Sequence, residues 1–76
     1  MKYKKRRIRL KTEDATMFAM VASGCDFDVI LSAVRYSCDG KSVEDIRLLD
    51  FTKELTLEYN GYDSVFEQYL TRLGAA

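Results

Sequence analysis

The stretch "DFDVILSAVRYSCDGKSVEDI", Asp26 to Ile46, contains a change of period, and that change decides the fold. Phe27, Val29, Leu31 and Ala33 alternate with Asp26, Asp28, Ile30 and Ser32, the period of two that sets every second side chain on one face of a β-strand. A second strand is expected over about residues 35–38. The "SAVR" between them lacks the Asn-Gly type of dipeptide that makes a tight hairpin, so nothing local sets the register of the pair. At "DGKSVEDI" the pattern turns helical. Ser42 is followed three residues later by Asp45 in the manner of a capping box, and Val43, Ile46 and Leu49 recur along one helix face.

Working outward from this stretch, each flank repeats the same logic. Toward the amino terminus, Ile8 and Leu10 alternate with Arg7, Arg9 and Lys11, which predicts a half-buried strand over roughly residues 3–10. Thr12 is expected to cap a helix that runs to about Ser23, with Glu13 and Asp14 in its first turn, where the helix dipole favours acids, and Gly24 beyond its end. Its stripe of Ala15, Phe18, Ala19 and Ala22 should face the sheet, leaving Met17, Met20 and Val21 partly turned outward. Toward the carboxyl terminus, Leu55, Leu57 and Tyr59 alternate with Glu54, Thr56 and Glu58, and Asn60-Gly61 ends that strand. Ser64 with Glu67 reads as the start of a last helix carrying Val65, Phe66, Tyr69, Leu70 and Leu73, with Gly74 past its end. The order is βαββαβα, an α+β chain. One four-stranded antiparallel sheet with three helices on one face lets all these amphipathic elements share a core.

Size and charge bound what such a chain does. Its 76 residues make one domain, and a chain of this length buries only roughly 60% of the surface that it exposes unfolded. No apolar run approaches the ~18 residues of a membrane span, and the amino end has no apolar segment of the signal-peptide kind. With two widely spaced cysteines as well, the expectation is a cytoplasmic protein with reduced thiols, no membrane insertion and no cofactor. Net charge is zero but uneven: residues 1–11 hold seven Lys and Arg and no acid, whereas the other 65 hold five bases and twelve acids. Lysine and arginine on a first strand commonly keep a sheet edge from pairing with other chains.

Several segments, in order and at fixed spacings, resemble the phosphocarrier protein HPr family of the sugar phosphotransferase system. They are "AS" (22–23), "DFDV" (26–29), Leu31, and above all "DGKSV" (39–43) followed by Ile46. The likeness covers nearly the whole chain, with one gap of about two residues near 50–53. It implies an open-faced β-sandwich whose first helix begins at a phosphate-accepting histidine. In this sequence the family's "H-A-R-P-A" falls on Lys11, Thr12, Glu13, Asp14 and Ala15, and only the alanine is kept. A phosphocarrier needs an imidazole nitrogen with a free lone pair, and a lysine that is cationic at neutral pH has none. The arginine that would steady the phosphate is Glu13, an anion where an anion has to dock.

The expected function is therefore an HPr-like domain without phosphocarrier activity and without an enzymatic reaction of its own. It would act as a protein-binding or regulatory module toward a cytoplasmic protein that the sequence does not identify. Met17, Met20, Val43 and Arg47 are the expected docking residues, flexible thioethers being suited to contacts that adapt. Ser42 matches the family's regulatory serine, beside Lys41, although Glu44 and Asp45 follow where family members are apolar; a plain helix cap is the simpler role. Other motifs carry little. "GKS" (40–42) would need a glycine where Arg35 stands to be a phosphate-binding loop. Asp26 and Asp28 on one strand face are too few ligands for a metal, and neither cysteine has a histidine to activate it. The alternative function is nucleic-acid binding through "KYKKRRIR", with Tyr3 stacking on bases.

Overall fold

The structure, a computed structural model, describes residues 3–74. Its elements are β1 (Lys4–Ile8), a 3-10 turn (Thr12–Asp14), α1 (Ala15–Ser23), β2 (Val29–Ala33), β3 (Tyr36–Asp39), α2 (Val43–Ile46), β4 (Leu55–Tyr59) and α3 (Ser64–Arg72). The order is the expected βαββαβα. The strands form one antiparallel sheet in the order β1-β4-β2-β3, with the three helices against one face. This is the α+β, open-faced arrangement that the alternation predicts.

Register explains the two faces. One row across the sheet runs Arg6, Leu57, Leu31, Cys38, and a second runs Lys4, Tyr59, Val29; together with Leu55 and Ile8 these turn toward the helices. The apolar members of both rows are buried, and they close on Ala15, Phe18, Ala19 and Ala22 of α1, Ile46 of α2, and Phe66 and Leu70 of α3. Rings knit the layers together. Tyr59 meets Phe66 edge to face at 5.2 Å, and Phe18 meets Phe66 likewise at 6.1 Å, geometries that suit the aromatic quadrupole. The opposite face carries Lys5, Glu58, Ile30 and Asp39 in one row and Arg7, Thr56, Ser32 and Ser37 in the next, and among the described residues it has no helix over it.

Several expected boundaries move. The first strand is shorter than residues 3–10 because Arg9 and Leu10 leave the ladder. β2 begins at Val29, so Asp26 and Asp28 precede the strand and do not share a face of it. β3 is displaced by one residue, to Tyr36–Asp39, and Ala33 pairs with Tyr36 across a two-residue loop of Val34 and Arg35. That loop forms without positive φ, so it is not one of the primed turns that signal a hairpin in sequence. The helix expected from Thr12 is a 3-10 turn before α1 proper, and Lys11, not Thr12, holds the extended cap position. Among the described residues no helix is long and apolar enough to cross a membrane.

Candidate protein-docking site

The amino end of α1 is organised by a carboxylate. Lys11 is exposed and extended; its backbone N–H donates to Asp14 Oδ2 at 2.9 Å, and its carbonyl accepts from the Asp14 N–H at 2.8 Å. This is the returning half of a capping box, and Lys11 itself supplies no acceptor. Thr12 and Glu13 are exposed, Asp14 is half-buried, and Ala15 is fully buried under the turn. Beneath lies Tyr69, whose hydroxyl is buried without a hydrogen-bond partner among the described residues. Burial first, and then the nearby Asp14 carboxylate, pushes its pKa up to about 12. The turn thus presents one ammonium and two carboxylates, with no imidazole.

Downstream, α1 divides as its spacing predicts. Ala15, Phe18, Ala19 and Ala22 are buried, while Met17 and Met20, one turn apart, are 52% and 65% exposed. Val21 is half-buried against the core. α2 packs beside α1, and of its expected docking residues Arg47 is exposed, whereas Val43 packs against the core and is only half-accessible. Leu48, just past α2, is 72% exposed and was missed by sequence reasoning. Its signal was present: it is the apolar residue that falls off the Val43, Ile46, Leu49 stripe.

Ser42 is the N-cap of α2, its Oγ accepting from the Asp45 N–H at 3.4 Å. The neighbouring Lys41 does not serve it. Its ammonium donates to the Cys25 carbonyl at 3.0 Å, tying the loop before α2 to the end of α1, and Asp39 Oδ1 accepts the Lys41 backbone N–H. With Glu44 and Asp45 in the first turn, the surroundings of Ser42 are those of a cap.

The basic strand lies elsewhere, on β1. Arg6 takes a core-facing place in the ladder, and its guanidinium donates to Glu67 Oε1 at 3.0 Å; Glu67 Oε2 accepts the buried Tyr59 hydroxyl at 2.6 Å. Lys4 holds its ammonium 5.6 Å from the Tyr59 ring and 5.9 Å from the ring of Tyr62, which is 71% exposed. Along β1, Lys5, Arg6, Arg7 and Thr56 line a shallow depression of about 480 Å³.

Burial, reinforced by Asp45 and Asp39, raises the Cys38 thiol to about 11, and burial likewise raises Cys25, so both sites disfavour the thiolate. Among the described residues no three His, Cys, Asp or Glu side chains come together as metal ligands. Compared with known proteins, the chain matches no family model and no curated protein. What it does has to be argued from its side chains.

Proposed function

We propose that this chain is a degenerate HPr-like domain that has given up phosphotransfer and works in the cytoplasm as a protein-binding, regulatory module through the outward face of α1 and α2. One observation carries the reading: Met17 and Met20 stand 52% and 65% exposed on a helix whose other apolar residues are buried or, in Val21, half-buried against the core. Helix α1 has all the core contact it needs through three alanines and Phe18, so its methionines are surplus to folding. Leu48 and Arg47 extend the face onto the adjoining helix. Flexible thioethers with an arginine at the margin suit a contact that desolvates on docking.

The loss of phosphotransfer follows from the same end of α1. Lys11 is a cation without a free lone pair at neutral pH, and the carboxylates of Glu13 and Asp14 oppose an incoming phosphoryl group. Incubation with labelled phosphoenolpyruvate and the upstream kinase of the phosphotransferase system is expected to leave no acid-labile phosphate on the chain; label at Lys11 overturns that half of the reading. For the docking half, Met17→Glu with Met20→Glu is expected to abolish capture of partners from native cytoplasm while leaving the thermal melt in place, since neither side chain is part of the core. Unchanged capture by a folded variant removes it.

A further inference from the structure

We propose that β1 is a docking edge for an acidic, extended segment of a partner protein, which joins the sheet as a fifth strand. The sheet ends on β1, which pairs only with β4. Alternate residues of Lys4–Ile8 therefore turn their N–H and C=O groups outward, and among the described residues no other backbone segment pairs with that edge. An added strand satisfies those groups with a ladder of its own, the general mode of recognition by strand addition.

Charge selects the strand. Of the cations on and around β1, Arg6 is neutralised by Glu67 at 3.0 Å and Arg7 only loosely by Glu54 at 3.8 Å, both members of the second pair being exposed. Lys4, Lys5 and Arg9 are exposed with no carboxylate within ion-pair distance among the described residues. A second copy of β1 would set Lys and Arg against Lys and Arg, so self-pairing is refused. A strand with Glu or Asp opposite Lys5 and Arg7 turns the same cations into favourable cross-strand pairs on the open face. The residues between these acids fall on the helix side, along the row of Lys4, Arg6 and Ile8, where apolar side chains meet the end of the core and the exposed ring of Tyr62 beside Lys4. The segment recognised is thus an alternation of acidic and apolar residues.

A phosphate polymer fits this edge less well. To cross the open face it would track over Glu58, directly opposite Lys5, and Glu54, beside Arg7. A strand seated on the outer side of β1 meets the cations from the side away from both acids. It also uses the outward backbone groups, which a nucleic acid leaves unpaired.

The α1–α2 face takes no part, so this inference stands or falls apart from the function proposed above. The test uses a fluorescent, end-capped heptapeptide of alternating glutamate and valine, the same peptide N-methylated at every residue, and an oligothymidylate of about ten nucleotides, a length one small basic groove can cover. The glutamate–valine peptide is expected to bind, more weakly as salt rises, and to slow hydrogen exchange at the outward amides of β1; the N-methylated peptide, whose residues have no N–H to donate to a ladder, is expected not to bind. Lys5→Glu with Arg7→Glu is expected to weaken the peptide roughly tenfold, because attractive cross-strand pairs become repulsive. Reversed charges beside Glu54 and Glu58 also strain the sheet, so Lys5→Gln with Arg7→Gln is measured in parallel and should lose a smaller share of the affinity. Equal binding of the N-methylated peptide, tighter binding of the oligonucleotide, no binding of the glutamate–valine peptide, unchanged amide exchange, or wild-type affinity in either folded variant each overturns the proposal.

Discussion

At the scale of single residues, the glycines and buried tyrosines show how tightly local chemistry is set by distant neighbours. A Cβ at Gly61 would fall on the Phe27 ring, which itself stacks on Tyr59. Gly61→Ala is therefore expected to cost about 1–3 kcal/mol in a urea melt, the ordinary penalty of overpacking. Gly24 sits at φ −76°, and a Cβ there meets nothing closer than the Val21 carbonyl at 3.5 Å. Gly24→Ala is thus expected to stabilise by about 0.4–1 kcal/mol through the unfolded chain, although the same residue reads in sequence as a helix stop. The tyrosines part company in the same way. Tyr59 spends its hydroxyl on Glu67, whereas the Tyr69 hydroxyl is buried without a partner among the described residues. Tyr59→Phe leaves a carboxylate short of a donor and is expected to lose about 1–2 kcal/mol; Tyr69→Phe removes a buried polar atom and is expected to be neutral or stabilising. A larger loss for Tyr69→Phe than for Tyr59→Phe contradicts these assignments.

At the scale of elements, periodicity was legible wherever burial was one-sided, and the caps of α1 and α3 were not. β2 and β4 alternate cleanly, and their buried residues are the apolar members of the pattern. The starts of α1 and α3 each offered two chemically adequate caps close together, and local sequence does not rank them. For α3 the choice lay between Asp63 and Ser64; Asp63 wins, its Oδ1 accepting the Phe66 N–H at 2.9 Å. That frees Glu67 from the capping role expected of it, and it reaches instead to Arg6 and Tyr59, a contact spanning most of the chain that no local pattern contains. Val65, expected on the apolar stripe of α3, is 64% exposed because that stripe is centred on Phe66 and Leu70. For α2 the cap was legible, and Ser42 fills it. Asp63→Ala and Ser42→Ala are each expected to cost about 1 kcal/mol in chemical denaturation, with Ser64→Ala near zero. An equal loss at Ser64 and Asp63 would return the cap to the serine.

At the scale of the whole molecule, the fold class could be read from element order, and so could the outward Met17 and Met20; the Tyr62 ring beside Lys4 and the edge position of β1 depend on how the chain closes. Closure also sets how stability responds to pH, because it takes the ionisable atoms of three weak acids, Cys38, Tyr59 and Tyr69, out of water. Burial, then Asp45 and Asp39, raises Cys38 from 9.0 to about 11. Burial, then the bond to Glu67, raises Tyr59 from 10.0 to about 12, and burial with Asp14 does the same to Tyr69. In each case the folded chain holds its proton to a higher pH than the unfolded chain does. Unfolding therefore releases protons above the unfolded values of 9.0 and 10.0, and the native state loses ground as pH rises. Stability is expected to be intact below about pH 9 and to decline through about pH 11–12, each of the three groups contributing no more than about 3 kcal/mol to the fall. Urea midpoints taken at intervals across that window check it. Cys38→Ala should flatten the first part of the decline and Tyr69→Phe the second, because each deletes one of the protons that unfolding releases; a midpoint that holds steady to about pH 12 in the unaltered chain would show that these groups are not buried.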